Sequence, residues 1–161
     1  MADNIQDEIE DKIIDCINSG VKGRLVIFKP EKNSFGEDLI VKKRGDYKEK
    51  EIHLQINSLV GPGEDVNFVK DFPKDNFKTD KNFYLIFVYF NEALQKINDY
   101  IWLVPSLKFK ETAETINDQK ILRFESSLDV KQNNKYSEFL VDTKDLGKLM
   151  LNIFVKNVKP K

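Results

Sequence analysis

The chain of 161 residues has one cysteine, Cys16, and one histidine, His53. A single cysteine excludes any disulfide within the chain and fits a reducing compartment, so a cytoplasmic protein is expected. A single histidine leaves no Cys/His spacing for zinc and no persuasive Ser-His-Asp triad. Long apolar runs are also missing. The longest, YLIFVYF at 84 to 90, falls far short of the ~20 residues that a membrane-crossing helix needs, and no membrane partner is expected. The first residues lack a basic region ahead of an apolar core, so no signal peptide is expected. GPG at 61 to 63 has neither the glycine spacing nor the Lys-Ser/Thr of a phosphate loop. Repeats, long linkers and low-complexity segments are absent. So is a strong excess of one charge. The formal charge is -1, with six acids and one lysine in residues 1 to 20, net -5, leaving +4 for the remainder. That excludes a strongly basic nucleic-acid footprint at the level of the whole chain.

What remains is an ordinary globular composition, 40% hydrophobic and 33% charged, with enough material for one domain over 1–161 and a real core. DNIQDEIEDKIIDCINSG, residues 3 to 20, reads as a helix ended by Gly20. On a helical wheel Ile5, Ile9, Ile13, Ile14, Cys16 and Ile17 fill one arc of roughly 180°. Glu10 falls inside that arc, and a carboxylate facing a core must be paired, protonated or bound to something. RLVIFKP (24 to 30) and DLIVKKR (38 to 44) read as strands, with RGDYKEK as a hairpin loop to a third.

That third strand is KEIHLQINS, residues 50 to 58. Ile52, Leu54 and Ile56 occupy one parity; His53, Gln55 and Asn57 occupy the other, which places Gln55 and Asn57 on one face. Further on, EDVNFVKDF (64 to 72) is read as one or two helical turns. NFYLIFVYF (82 to 90) is apolar on both parities and predicts a strand buried on both faces. YIWLVP (100 to 105) predicts another strand, LKFKETAETI a helix, KILRFESSLD (120 to 129) a strand, and TKDLGKLMLNIFVKNV (143 to 158) a closing helix. The fold class expected is α/β or α+β, with a central mixed sheet flanked by helices.

In order, these elements place Glu10 on the helix, Asp38 at the opening of the second strand (FGEDLIV), and Gln55 and Asn57 on the third (HLQINS). The arrangement resembles the PD-(D/E)XK nuclease superfamily, whose restriction-endonuclease-like fold has an αβββαβ core. The resemblance covers roughly the first 105 residues. It implies catalytic positions at Glu10, Asp38, Gln55 and Asn57, with Asp38 and Glu10 holding Mg or Mn. In such a site the metal polarises a phosphodiester and lowers the pKa of the attacking water, with DNA or RNA as partner. Asn57 stands where that family has lysine, and an amide brings neither positive charge nor acid-base chemistry. Lys42 has the parity of Asp38 but sits about 13 Å along its strand. Lys50 has the wrong parity, whereas His53 has the right one and lies about 7 Å from Gln55.

Each residue also has a simpler role. Glu10 can pair with a nearby Lys or Arg24, Asp38 can cap a turn after Gly36, and Gln55 and Asn57 can be satisfied polar contacts. Three functions stay open at this point: an atypical metal-dependent nuclease, a nuclease-like fold that binds nucleic acid or protein without cutting, and an interaction module using strand edges or the aromatic-rich segment around Phe68, Phe72 and Phe77. The basic cluster Lys42, Lys43, Arg44, Lys48 and Lys50 is a candidate phosphate-contacting edge, diluted by Asp46, Glu49 and Glu51. Substrate, oligomeric state and protein partners are left open.

Overall fold

A strand that is apolar on both parities can only sit where both faces are covered. The computed structural model describes residues 2–31 and 36–156, the side chains of 2, 3, 46 to 49 and 156 excepted. In it the NFYLIFVYF segment runs through the middle of a seven-stranded sheet. Leu85 and Phe87 join one hydrophobic cluster, while Ile86, Val88 and Phe90 join another on the opposite face.

The chain begins with α1 (Ala2–Asn18), followed by β1 (Leu25–Phe28), β2 (Leu39–Lys43) and β3 (Asp46–Gly61). Ile9, Ile13 and Ile17 of α1 are fully buried, as the wheel requires. Part of the turn-rich EKNSFGE stretch lies outside the described residues, as does the end of the expected closing helix. The connection between β2 and β3 is shorter than expected. Only Arg44 and Gly45 turn, and residues 46 to 50 already belong to β3, with the register slipping between Lys42 and Lys43.

After β3 come β4 (Asn67–Pro73), β5 (Phe83–Asn91), β6 (Lys96–Ile97) and β7 (Tyr100–Pro105). Here the structure corrects the reading of EDVNFVKDF as helical turns. The segment is β4, because Phe68 and Phe72 sit two intervals of the strand repeat apart, and both turn to the aromatic core. The αβββαβ order therefore does not continue as expected: a strand of a second sheet, not a helix, connects β3 to β5. The next helix is also shorter than expected. It is α2 (Ser106–Thr112), and the rest of that segment is β8 (Glu114–Ile116), followed by β9 (Ile121–Ser127), β10 (Leu140–Asp142) and α3 (Leu146–Lys156).

The larger sheet has the order β1-β2-β3-β5-β7-β10, with β6 on β5, and the smaller has the order β4-β9-β8. The larger sheet is mixed but mostly antiparallel, β3 and β5 forming its parallel pair among the described strands. One face packs on α1 and α3 through Ile52, Leu54, Ile56, Ile86 and Val88. The other packs on the small sheet and α2 through Phe87, Trp102, Phe109 and Phe124. The class is thus α+β, a mostly antiparallel sheet flanked by helices. Gly147 lets α3 approach α1: a Cβ there would collide with the carbonyl oxygen of Ile17. No helix among the described residues is long and apolar enough to cross a membrane.

Candidate functional site

Because Ile52, Leu54 and Ile56 face α1, the pleat turns His53, Gln55 and Asn57 to the other side of the sheet. Glu10 stays on the α1 side, its side chain 13% exposed. The Gln6 amide, one helical turn back, donates to Glu10 Oε2 at 3.3 Å, and Ser58 Oγ donates to Gln6 Oε1 at 3.3 Å. Lys29 Nζ lies 3.8 Å from Glu10 Oε1 and 3.0 Å from Asp11 Oδ1. The carboxylate inside the apolar arc is therefore paired, in the manner that burial demands.

Asp38 sits where β2 begins. Its N–H donates to the Leu54 carbonyl at 2.7 Å, and its Oδ2 accepts the Ile56 N–H at 2.6 Å. The side chain thus carries the β2–β3 ladder one step ahead of the first residue of β2. Burial pushes the Asp38 carboxyl up to about 6. The charges of Glu10 and Glu37 push in the same direction, and the Ile56 N–H opposes them.

Gln55 Nε2 donates to the Gly36 carbonyl at 3.2 Å. Asn57 is 7% exposed, and its Nδ2 has the Gln55 carbonyl, Gln55 Oε1 and the Ile86 carbonyl each at 3.5 Å, the long limit for such bonds. The structure thus brings Glu10 and Asp38 into one electrostatic field and Gln55 and Asn57 into one amide pair. It does not bring the amide pair to Glu10. As donors for Mg or Mn the four make a poor set, with one carboxylate paired to Lys29, one carboxylate holding a backbone N–H, and two amides turned away. Among the described residues no three His, Cys, Asp or Glu side chains are grouped to hold a metal.

At Glu51 and His53 the polar face of β3 looks into a cavity of about 590 Å³, lined also by Glu37, Lys78, Asp80 and their neighbours. His53 stands between two carboxylates, with Nε2 2.9 Å from Glu51 Oε1 and Nδ1 3.8 Å from Glu37 Oε1. Burial works to raise the Glu51 carboxyl, but hydrogen bonds from His53 and Lys42 outweigh it and hold the group below its ordinary range. The far wall is fixed by Ser106, fully buried, whose Oγ accepts the Asp80 N–H at 3.0 Å and donates to the Asp80 carbonyl at 2.9 Å. His53 N–H donates to the Asn82 carbonyl at 2.8 Å, which ties that loop to β3.

Glu37 and the loop residues 78 to 81 were not signalled by the sequence. Glu37 neighbours Asp38, but the chain bends at Gly36 and Asp38, so strand parity gives no direction for its side chain. The parity of His53 was the available signal.

Comparison of the chain with protein families, curated proteins and solved structures returns no match.

Proposed function

We propose that the chain is a non-catalytic binding module on a restriction-endonuclease-like α+β core, with its binding site at the His53 cavity. The observation that carries this reading is the engagement of the Asp38 carboxylate by the Ile56 N–H at 2.6 Å. The residue that would anchor a catalytic metal is closing a strand ladder instead. Asn57, buried and neutral where a lysine would contact the scissile phosphate, points the same way.

The second reading is an active phosphodiesterase using Mg or Mn. It is favoured by the mutual field of Glu10 and Asp38, since two carboxylates held together repel until a cation or a proton joins them. DNA or RNA binding at the β2–β3 hairpin is weakened by existing contacts there. Lys42 Nζ lies 3.3 Å from Glu51, and Arg44 Nε donates to the Gly23 carbonyl at 2.6 Å.

The test is incubation of plasmid, single-stranded DNA and RNA with the chain and Mg²⁺ or Mn²⁺, beside the Asp38→Ala variant. No cutting above the variant is expected. Metal-dependent cutting that disappears in Asp38→Ala would overturn the binding-module reading in favour of the nuclease. Nucleic-acid affinity that falls steeply with salt would move the binding site to the hairpin.

A further inference from the structure

Glu37, which lines the His53 cavity, has a carboxylate oxygen with no partner among the described residues. Its side chain is 3% exposed, and no donor from those residues reaches its Oε2. A buried charged acceptor without a donor is costly, because water has been removed and nothing replaces it. Native interiors avoid this arrangement, and the exceptions call for an explanation. Glu10 and Asp38, by contrast, both have donors.

The charges around the cavity decide what kind of donor would fit. Among the described residues Glu37, Glu51 and Asp80 contribute three carboxylates against Lys78, the imidazole of His53 and Lys42, whose Nζ lies 3.3 Å from Glu51 Oε2. The three carboxylates outnumber the two lysines, so a phosphate or carboxylate ligand meets the wrong sign. A donor-rich cation meets the right one. The remainder of the lining is mixed: Phe83 offers an apolar wall, and Thr79 and Asn82 offer neutral polar groups. A short aliphatic stem behind a charged head suits that combination.

We propose that the His53 cavity binds an alkylammonium or alkylguanidinium group, its head hydrogen-bonded to Glu37 and Glu51 and its stem against Phe83. Such a head can belong to a small free amine or to a lysine or arginine side chain of a peptide. The two sources share the chemistry and differ in what surrounds it. Glu37 is the inner acceptor. Glu51, whose side chain is 42% exposed, is the rim acceptor. This inference rests on the reading of the chain as a binding module centred on this cavity.

The experiment is a titration of the ¹⁵N-labelled full chain, followed through the backbone amides of His53, Lys78, Asp80, Asn82 and Phe83. The probes are n-butylammonium, n-butylguanidinium, and end-blocked Gly-Lys-Gly and Gly-Arg-Gly peptides, with n-butanol and butyrate as neutral and anionic controls. Saturable shifts confined to the cavity are expected for the cations, with Kd of about a millimolar for heads this small, and none for the controls. Glu37→Gln should weaken binding about ten-fold or more, the scale of one hydrogen bond to a charged group. Glu51→Gln should weaken it by about three-fold, as suits an exposed pair. Tighter binding of the peptides would assign a peptide source, and equal or tighter binding of the free cations a small-molecule source.

Shifts that never saturate, butanol matching the ammonium probe, or wild-type affinity in Glu37→Gln would each overturn the proposal. Should Glu37→Gln fail to fold, wild-type affinity in Glu51→Gln overturns it in the same way. Failure here is distinct from failure of the binding-module reading, which is overturned by metal-dependent cleavage whatever the cations do.

Discussion

Replacing Asp38 by Asn removes a charge and keeps the acceptor. The variant side chain retains an oxygen for the Ile56 N–H, so the ladder at the start of β2 persists. What changes is the dependence of stability on pH. In the folded chain burial lifts the Asp38 carboxyl from its ordinary 3.8 to about 6. Between those values the folded state holds more protons than the unfolded state. Stability contributed by this group is therefore present at low pH and lost as pH rises through about 6. In full, a rise of that size corresponds to about 3 kcal/mol. Asp38 keeps partial contact with solvent, and screening halves the figure to about 1.5 kcal/mol. The assay is urea denaturation at a series of pH values, followed by the fluorescence of Trp102, which is the sole tryptophan and 3% exposed. Asp38→Asn should match wild type at pH ~3 and exceed it by about 1.5 kcal/mol at pH ~7. Parallel curves, or wild type gaining on the variant as pH rises, would show that folding does not lift the Asp38 carboxyl above its ordinary range.

Three further outcomes can be checked by the same denaturation assay. Phe124→Ala should cost about 3–5 kcal/mol, because Phe124 is fully buried and stacks on Phe87 at 3.8 Å between ring centroids; a loss under about 1 kcal/mol would show that the aromatic layer does not hold the two sheets together. Gly147→Ala should cost about 1–3 kcal/mol by forcing α3 away from the Ile17 carbonyl, and an unchanged midpoint would contradict that close approach. Glu37→Met should leave stability unchanged or raise it by about 1 kcal/mol, since it removes a buried oxygen that has no donor among the described residues; a loss above about 2 kcal/mol would mean that Glu37 is held by contacts essential to the fold.

The parts of the fold legible in the sequence were those with strong apolar periodicity. The three buried isoleucines of α1, the doubly apolar β5 and the YIWLVP strand all stand where their patterns place them. β4 was missed because its alternation is thin. Phe68 and Phe72 bury, but Val69 and Lys70 are exposed, so the short segment carries as much helical as extended character. Tyr136 was missed for another reason. It lies in a polar stretch, yet it is fully buried, with its neighbour Asn134 turning the chain through bonds to Tyr136 N–H and Ser126 Oγ. No periodic signal marks a lone anchor of that kind.

For the candidate site, the alternation in KEIHLQINS correctly paired Gln55 with Asn57 and separated both from the apolar face. Strand parity cannot say which layer lies beyond a polar face. The four residues that the resemblance groups therefore divide, with Glu10 on the α1 side, while Glu51 and His53 face the cavity walled by the 78 to 82 loop. Glu10 itself was legible as a carboxylate in need of a partner. That partner, Lys29, arrives from just past the end of β1 at a distance in sequence that no helical wheel encodes.

The binding-module proposal makes Glu10 and Asp38 parts of the fold and not of a metal centre. It is tested most directly by titrating the ¹⁵N-labelled chain with Mn²⁺ and following paramagnetic broadening residue by residue. Weak broadening spread over exposed acidic positions, with no saturable focus at Asp38, is expected. Saturable broadening centred on Glu10, Asp38 and Ile56, and lost in Asp38→Asn, would contradict it.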